Sequence, residues 1–353
     1  MTLRNKTGLS LCLLLICMQA FTWTSPVDLP DMGESRLRIV GQNARNYIKD
    51  FTATNADVKN ESDFKTKTDK MANVFLALQA DIVALCEVEE NNQILGYITS
   101  AMNSISGTDV YTYVTDDLNA SQSSSGYMPL KAGFIYRSDR VATVGSNSYP
   151  PKTTWGYRPR MRYQAFKELA TDEVFTLSMN HFKAKESNSA TDETEATRIE
   201  NATQLKNGLS WVSVDPDILI MGDLNANTEE EPVQILIKAG YEEQLVRFDS
   251  AAYSYIYKGK KNLIDHVLAN KPMAAQVTAA YAYHINTGAS YKYKFSDHDT
   301  YVVGLCLGEH GCELTGIRTP ESNSRAQKTI ENGQLIITLP DGSVYNGVGL
   351  RIR

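Results

Sequence analysis

Eight residues able to do chemistry stand at or just past the polar ends of short apolar runs: Asn43, Glu87, His181, Asp223, Asn225, Asp265, Asp297 and His298. Four carboxylates, two amides and two imidazoles suit an oxygen-coordinated divalent ion, Mg²⁺ first and Mn²⁺ or Ca²⁺ next, beside groups that move protons. Each alone has an ordinary explanation. Asp223 can turn a strand, Asn43 can cap a loop, and Glu87 can open the solvated run Glu87-Val88-Glu89-Glu90. Together they weigh more, because apolar strands that deliver carboxylates and imidazoles to one end have no packing purpose.

The elements that must position them are legible as runs. Leu37-Arg38-Ile39-Val40 leads to Asn43, Asp81-Ile82-Val83-Ala84-Leu85-Cys86 to Glu87, and Phe175-Thr176-Leu177-Ser178-Met179 to Asn180-His181. Ile218-Leu219-Ile220-Met221 leads to Gly222-Asp223, Leu263-Ile264 precedes Asp265, and Ser296-Asp297-His298 precedes Tyr301-Val302-Val303-Gly304-Leu305. These read as strands ending at one rim of a sheet. Helical spacing recurs at Met71, Val74, Phe75 and Leu78, and again at Ile199, Ala202, Leu205, Leu209 and Val212. A third helix is predicted from Pro232 to Gly240, with proline at its start and glycine at its stop. Strands mixed with helices predict a layered α/β or α+β domain.

A chain of 353 residues, 42% of them hydrophobic, can bury one large core and carry a small appendage. Residues 1–26 read as an export signal: Arg4 and Lys6 form a basic start, an apolar run spans Leu9 to Phe21, and Thr24-Ser25-Pro26 forms the exit. The run is short for a bilayer span, and the mature form is expected to have no stable membrane insertion. Cys17 after Leu14-Leu15-Ile16 offers an alternative, a lipid anchor, although that site wants a small residue where Ile16 stands. The mature chain is placed outside the cytoplasm, where Cys306 and Cys312 are near enough to close a small loop, while Cys86 in its apolar run is expected to be a buried thiol. The formal net charge of −6 argues against a broad basic surface, so any polyanion must be held by metal and local Arg or Lys contacts. Residues 313–327 read as a polar linker, and residues 328–353 as a small β-hairpin tail.

Taken in order, Asn43, Glu87-Val88, Asn180-His181-Phe182-Lys183, Gly222-Asp223-Leu224-Asn225-Ala226, Ile264-Asp265-His266 and Ser296-Asp297-His298-Asp299 resemble the motifs of the endonuclease/exonuclease/phosphatase superfamily. The resemblance spans roughly residues 36–307 within a catalytic domain placed at 36–312, and the last four motifs together are specific. Within the superfamily the chain is most similar to secreted bacterial extracellular deoxyribonucleases. Asn46-Tyr47, the block Asn180 to Lys185, Tyr253-Ser254-Tyr255 and His284-Ile285-Asn286 carry that likeness, with Ala184 where serine is usual.

The resemblance implies a four-layer α+β (α/β) sandwich, two packed mixed β-sheets flanked by helices, with the site at one edge. It implies that Glu87 holds the principal metal with Asn43 and Asp297 close by. Asp223 and Asn225 orient the attacking water and the scissile phosphate. His298 is the general base or phosphate-stabilising imidazole, oriented by Asp265, and His181 protonates the leaving oxygen or stabilises the phosphorane. Among Arg158, Arg160 and Arg162, Arg160 is the chosen phosphate contact. His266 reads as a core or rim neighbour of Asp265, and His284 has no assigned role. The implied activity is metal-dependent phosphodiester hydrolysis of nucleic acid, DNA foremost, by a monomer. The same fold also accommodates a phosphoinositide or inositol phosphate phosphatase, or a sphingomyelinase-like phosphodiesterase. A surface-binding protein without catalysis is the alternative of another class, and retention of all eight residues speaks against it.

Overall fold

Of the apolar runs named above, all but Leu263-Ile264 lie in strands of the computed structural model, which describes residues 28–148, 160–186, 194–288 and 293–308 and the strands at 327–331, 334–338 and 344–346. The expected signal, Cys17, Arg158, Cys312 and segment 313–326 lie outside the described residues. In chain order, β1 (Leu37–Tyr47), α1 (Glu61–Ala77), β2 (Ile82–Glu89), α2 (Ile94–Ser106), β3 (Tyr111–Tyr113) and β4 (Leu130–Arg137) come first. Then follow β5 (Val141–Ser148), β6 (Arg162–Glu168), β7 (Val174–His181), α3 (Glu195–Val212), β8 (Ile218–Asp223), α4 (Glu231–Lys238), β9 (Tyr241–Glu243) and α5 (Gln244–Phe248). The domain closes with β10 (Tyr255–Tyr257), β11 (Lys260–Asn262), β12 (Asp265–Asn270), α6 (Lys271–Ala274), β13 (Val277–Tyr283) and β14 (Thr300–Leu305).

Two six-stranded sheets result, ordered β13-β14-β1-β2-β4-β3 and β5-β6-β7-β8-β12-β9. Both are mixed. Each has one parallel pair near its middle, β1 with β2 and β7 with β8, and antiparallel neighbours outside it. Their facing sides share a core in which Ile39, Ala84 and Val303 of the first sheet pack with Leu177, Met221 and Val267 of the second. Strands covered on both faces need apolar side chains on both, which is why these central strands read as continuous runs. On the outside, Phe64, Met71 and Phe75 of α1 and Leu95, Ile98 and Met102 of α2 cover the first sheet. Leu205 and Leu209 of α3 and Val233 and Leu236 of α4 cover the second. The molecule is therefore the expected helix–sheet–sheet–helix sandwich.

Local signals account for the helix ends. Asn60 caps α1 by accepting from the Asp63 amide, and Glu61 and Asp63 sit where the helix dipole favours acids. Pro232 opens α4, and Gly240 follows it at φ 97°. Among the described helices none is long and apolar enough to cross a membrane. Beyond the domain, β15 (Gln327–Glu331), β16 (Gln334–Thr338) and β17 (Val344–Asn346) pair antiparallel in that order, with β15 starting at the last residue of the expected linker.

Candidate active site

Register puts one half of the site in a row across the second sheet. His181 pairs with Asp223 between parallel β7 and β8, and Asp223 pairs with Asp265 between antiparallel β8 and β12. Three neighbouring strands thus end in imidazole, carboxylate and carboxylate. Gly222, at φ 137°, makes the approach possible: a Cβ there would stand 2.1 Å from the Asn180 carbonyl oxygen.

The first sheet supplies the other half through irregular backbone. Asn43 and Glu87 lie inside β1 and β2 rather than past their ends, and the ladder slips between Asn43 and Tyr47 and again between Leu85 and Val88. Arg45, Asn46 and Glu87 all have positive φ, of 48°, 46° and 55°, as does Asn225 at 49° in the second sheet's rim. Non-glycine residues pay conformational energy there, and bulges of this kind re-aim side chains beside functional sites.

Facing each other, the halves interlock. Asn43 donates from Nδ2 to Glu87 Oε1 and to Asp223 Oδ2, both at 3.0 Å, while its own Oδ1 accepts the Arg45 amide at 2.9 Å. In this arrangement Asn43 bridges two carboxylates. Glu87 Oε2 accepts the Asn46 amide at 2.9 Å, and Oε1 lies 3.4 Å from His181 Nε2. Asp223 Oδ2 is a hub, 3.8 Å from His181 Nε2 and 3.8 Å from His298 Nε2. His298 Nδ1 meets Asp265 Oδ2 at 2.7 Å, and the ring stacks against Tyr255 at 4.7 Å.

The loop that carries His298 is tied down from both sides. Asn286 and Gln42 donate to the His298 carbonyl, at 2.7 and 3.2 Å, and the Ser296 hydroxyl donates to the Asn43 carbonyl at 2.7 Å. Asp299 accepts from the Asn286 and Thr287 amides and from His284, which gives His284 a structural place. His266 is wholly buried between Glu243, at 2.6 Å, and the Ala226 carbonyl, at 2.8 Å. Asn225 donates its backbone amide to Asp223 Oδ1 at 2.9 Å and its side chain to the Phe182 carbonyl at 3.1 Å.

Burial and charge divide the titrating groups. Burial pulls His181 down to about 4, so its ring is neutral at neutral pH. Arg160 lies 3.4 Å from Nδ1 of that ring. A guanidinium can only donate, so Nδ1 is the acceptor and Nε2 carries the proton toward Glu87. Burial also opposes charge on His298, but the carboxylates of Asp265 and Asp223 outweigh it and hold the ring well above its ordinary value. Asp223 is pushed up to about 7, by burial first and by the Asp265 charge. Glu87 is opposed by burial too, yet neighbouring imidazoles and the Asn43 and Asn46 donors leave it below the usual carboxylate range.

Of the predicted residues, seven converge: Asn43, Glu87, His181, Asp223, Asn225, Asp265 and His298. Asp297 does not join them. Its side chain is 44% exposed and faces Arg45 at 3.9 Å, at the mouth, because the next residue is the one turned inward to Asp265. Arg160 is the neighbour of His181, whereas buried Arg162 pairs with Asp116. Ligand atoms of Glu87, His181 and Asp223 lie within 4.8 Å of one another, and so do those of Asp223, Asp265 and His298. Buried Asp265 Oδ1 has no hydrogen-bond partner among the described residues. Several acids gathered with so little counter-charge fit a hard divalent cation.

Paired mixed sheets with a carboxylate and imidazole site across their edge define a hydrolase of phosphoester bonds. The chain belongs to the endonuclease/exonuclease/phosphatase family, whose family model matches residues 42–301; the family is typically dependent on a divalent metal. Comparison with curated proteins finds no match. Similar solved structures include the mannosyl-6-phosphatase Bt3783 of Bacteroides thetaiotaomicron, at 15% identity and TM-score 0.55, covering 77% of this chain and 100% of that one. An AP endonuclease from Archaeoglobus fulgidus is 14% identical with TM-score 0.52, covering 77% and 100%. D. rerio TDP2 complexed with single strand DNA product is 15% identical with TM-score 0.50, covering 76% and 97%. At such identities the likeness is one of fold.

Proposed function

We propose that this protein is an exported, monomeric, divalent-metal-dependent phosphodiesterase that hydrolyses nucleic acid, DNA in preference. The His298–Asp265 pair, aimed across the seam at Asp223 within one cleft that also holds Glu87 and His181, carries the proposal.

Glu87, braced by Asn43 and Asn46, would hold a divalent ion, Mg²⁺ first among candidates, and the ion would supply positive charge to offset that of the phosphate. Asp223 Oδ2, at the hub between the two imidazoles, accepts from the attacking water and takes its proton. Asn225 keeps Asp223 oriented through its backbone amide. His298, anchored by Asp265, presents Nε2 to the phosphate and stabilises the charge that grows in the transition state. His181 offers a neutral Nε2–H to the phosphorane, and the leaving oxygen takes up its proton from solvent. Arg160 stands behind it as a second positive charge.

A basic cleft beside this acidic centre favours a polyanion. Arg45, Lys59, Lys67, Lys70 and Lys294 line one cleft. Lys67 is matched by Asp57 at 2.7 Å, but Lys59 and Lys70 donate to backbone carbonyls, which leave the ammonium charge in place. The other cleft is lined by Lys258, by Lys185, which Glu230 matches at 2.6 Å, and by Glu186. DNA rests on the likeness of the Asn180–Lys185 block to extracellular deoxyribonucleases. Export rests on the N-terminal segment and on the disulfide of Cys306, whose expected partner is Cys312.

The test is purified mature protein incubated with DNA, RNA, phosphoinositide, sphingomyelin and mannose 6-phosphate, each with Mg²⁺, Mn²⁺, Ca²⁺ or chelator. Cleavage of DNA that stops in chelator is expected. Turnover of only lipid or sugar phosphate would replace the substrate assignment, and full turnover of DNA in excess chelator would remove the metal.

A further inference from the structure

The hairpin β10–β11 overhangs the site, and its composition is unusual for a surface turn: Tyr255-Ile256-Tyr257-Lys258-Gly259-Lys260-Lys261-Asn262. Tyr257 pairs with Lys260, so the loop is Lys258-Gly259, and both residues have positive φ, 47° and 78°. That is the geometry of a tight two-residue turn matched to strand twist. It holds even with a lysine at the first position, where the conformation is costly.

Alternation along the strand puts Tyr255 and Tyr257 on one face. The Tyr255 ring stacks on His298 at 4.7 Å and 30°, and the Tyr257 ring follows at 6.5 Å and 14°. An aromatic ladder therefore runs outward from the proposed catalytic imidazole. Tyr257, its outer rung, is 45% exposed, and Lys258 Nζ stands 5.1 Å from its ring centre. Tyr255, Tyr257 and Lys258 line the same cleft, of about 560 Å³, as Glu87, His181 and Asp223.

We infer that this ladder is a stacking platform that seats a nucleobase next to the scissile phosphate, with Tyr257 as the specificity-determining residue. The inference rests on the nucleic-acid reading above and deepens it. Bases of any kind offer a π-face, so the platform selects for unpaired nucleotides with little sequence preference, and the hairpin lysines take the flanking phosphates. A membrane contact is the less favoured occupant. The rings continue the line of His298 within the cleft, and the opposite strand face pairs Ile256 with Lys261, a poor lipid-facing surface.

The experiment compares wild type, Tyr257→Ala and Tyr257→Trp on fluorescein-labelled oligothymidylate and on the same oligomer with abasic sites in place of bases. Cleavage is followed with Mg²⁺, and binding by anisotropy in chelator. Wild type should prefer the base-bearing oligomer by about 5- to 100-fold in kcat/KM and in affinity, the span of one base–aromatic stack. In Tyr257→Ala that ratio should collapse toward about one, chiefly through KM, and Tyr257→Trp should restore it. A ratio unchanged by Tyr257→Ala, or loss of binding to zwitterionic phosphatidylcholine vesicles in its place, would overturn the platform. Base-dependent binding without cleavage would uphold the platform and reject the nuclease reading.

Discussion

Asp265 opens β12 of one sheet and His298 lies in the loop that leads into β14 of the other, yet Oδ2 of the first is 2.7 Å from Nδ1 of the second, a contact made across the seam of the sandwich. It turns the ring so that Nε2 faces Asp223. If the pair acts as a unit, His298→Ala should lower the single-turnover rate by about 10²–10⁴. Asp265→Asn should cost less, and the double variant little more than His298→Ala alone. Losses that simply multiply in rapid-quench measurements would dissolve the pair as a functional unit.

Metal binding should register without turnover. An ion that binds the folded chain stabilises it by about 2.7 kcal/mol at a concentration of 100 times its Kd, so the unfolding temperature should rise when Mg²⁺ or Mn²⁺ replaces chelator. Glu87→Gln should remove most of that rise. Equal shifts in the two proteins would move the ion elsewhere.

Gly222 and Gly240 separate crowding from backbone conformation. Both have positive φ, but a Cβ at Gly240 meets nothing within 4 Å, whereas at Gly222 it meets backbone of Asn180. Gly240→Ala should cost about 1 kcal/mol in urea unfolding and Gly222→Ala about 2–4 kcal/mol. Similar costs would mean that the β7–β8 approach tolerates a methyl group.

His266 should tilt stability with pH. Burial opposes its charge, but Glu243 and the Ala226 carbonyl outweigh that and raise its folded-state value. A raised value means stability fully present below the unfolded value, about 6.5, and lost as pH rises through the higher folded value. Urea midpoints should therefore fall across that alkaline window in wild type, and the His266→Gln variant should lack this component of the slope. An unchanged slope in the variant would assign it to other groups.

Much of this was readable from the chain. Central strands buried on two faces are written as uninterrupted apolar runs, and His181 and Asp223 follow such runs directly, so their convergence was visible. Asn43 and Glu87 were visible as types, but the bulges that aim them leave no mark in hydrophobicity. Asp297 stands at the mouth for a related reason: adjacent residues point opposite ways, and pattern alone does not say which of Asp297 and His298 turns in. Helix α2 carried a signal, Ile94, Leu95, Ile98 and Met102, that a missing cap and an acidic approach obscured. The role of Tyr255 depended on a ring-to-ring contact 43 positions along the chain, beyond the reach of any local pattern.

A site assembled from two sheets makes activity a gauge of how those sheets are registered on one another. Each sheet is internally latticed by backbone hydrogen bonds, while side chains such as Tyr301, Met179 and Met221, with a backbone bond from Asp299 to Ser254 at the rim, hold one against the other. Methionine there is pliable, and a glide of the layers by a fraction of a bond length would part Asp265 from His298 and Asn43 from Asp223 while leaving every strand intact. On warming, such a molecule should fall silent before it melts.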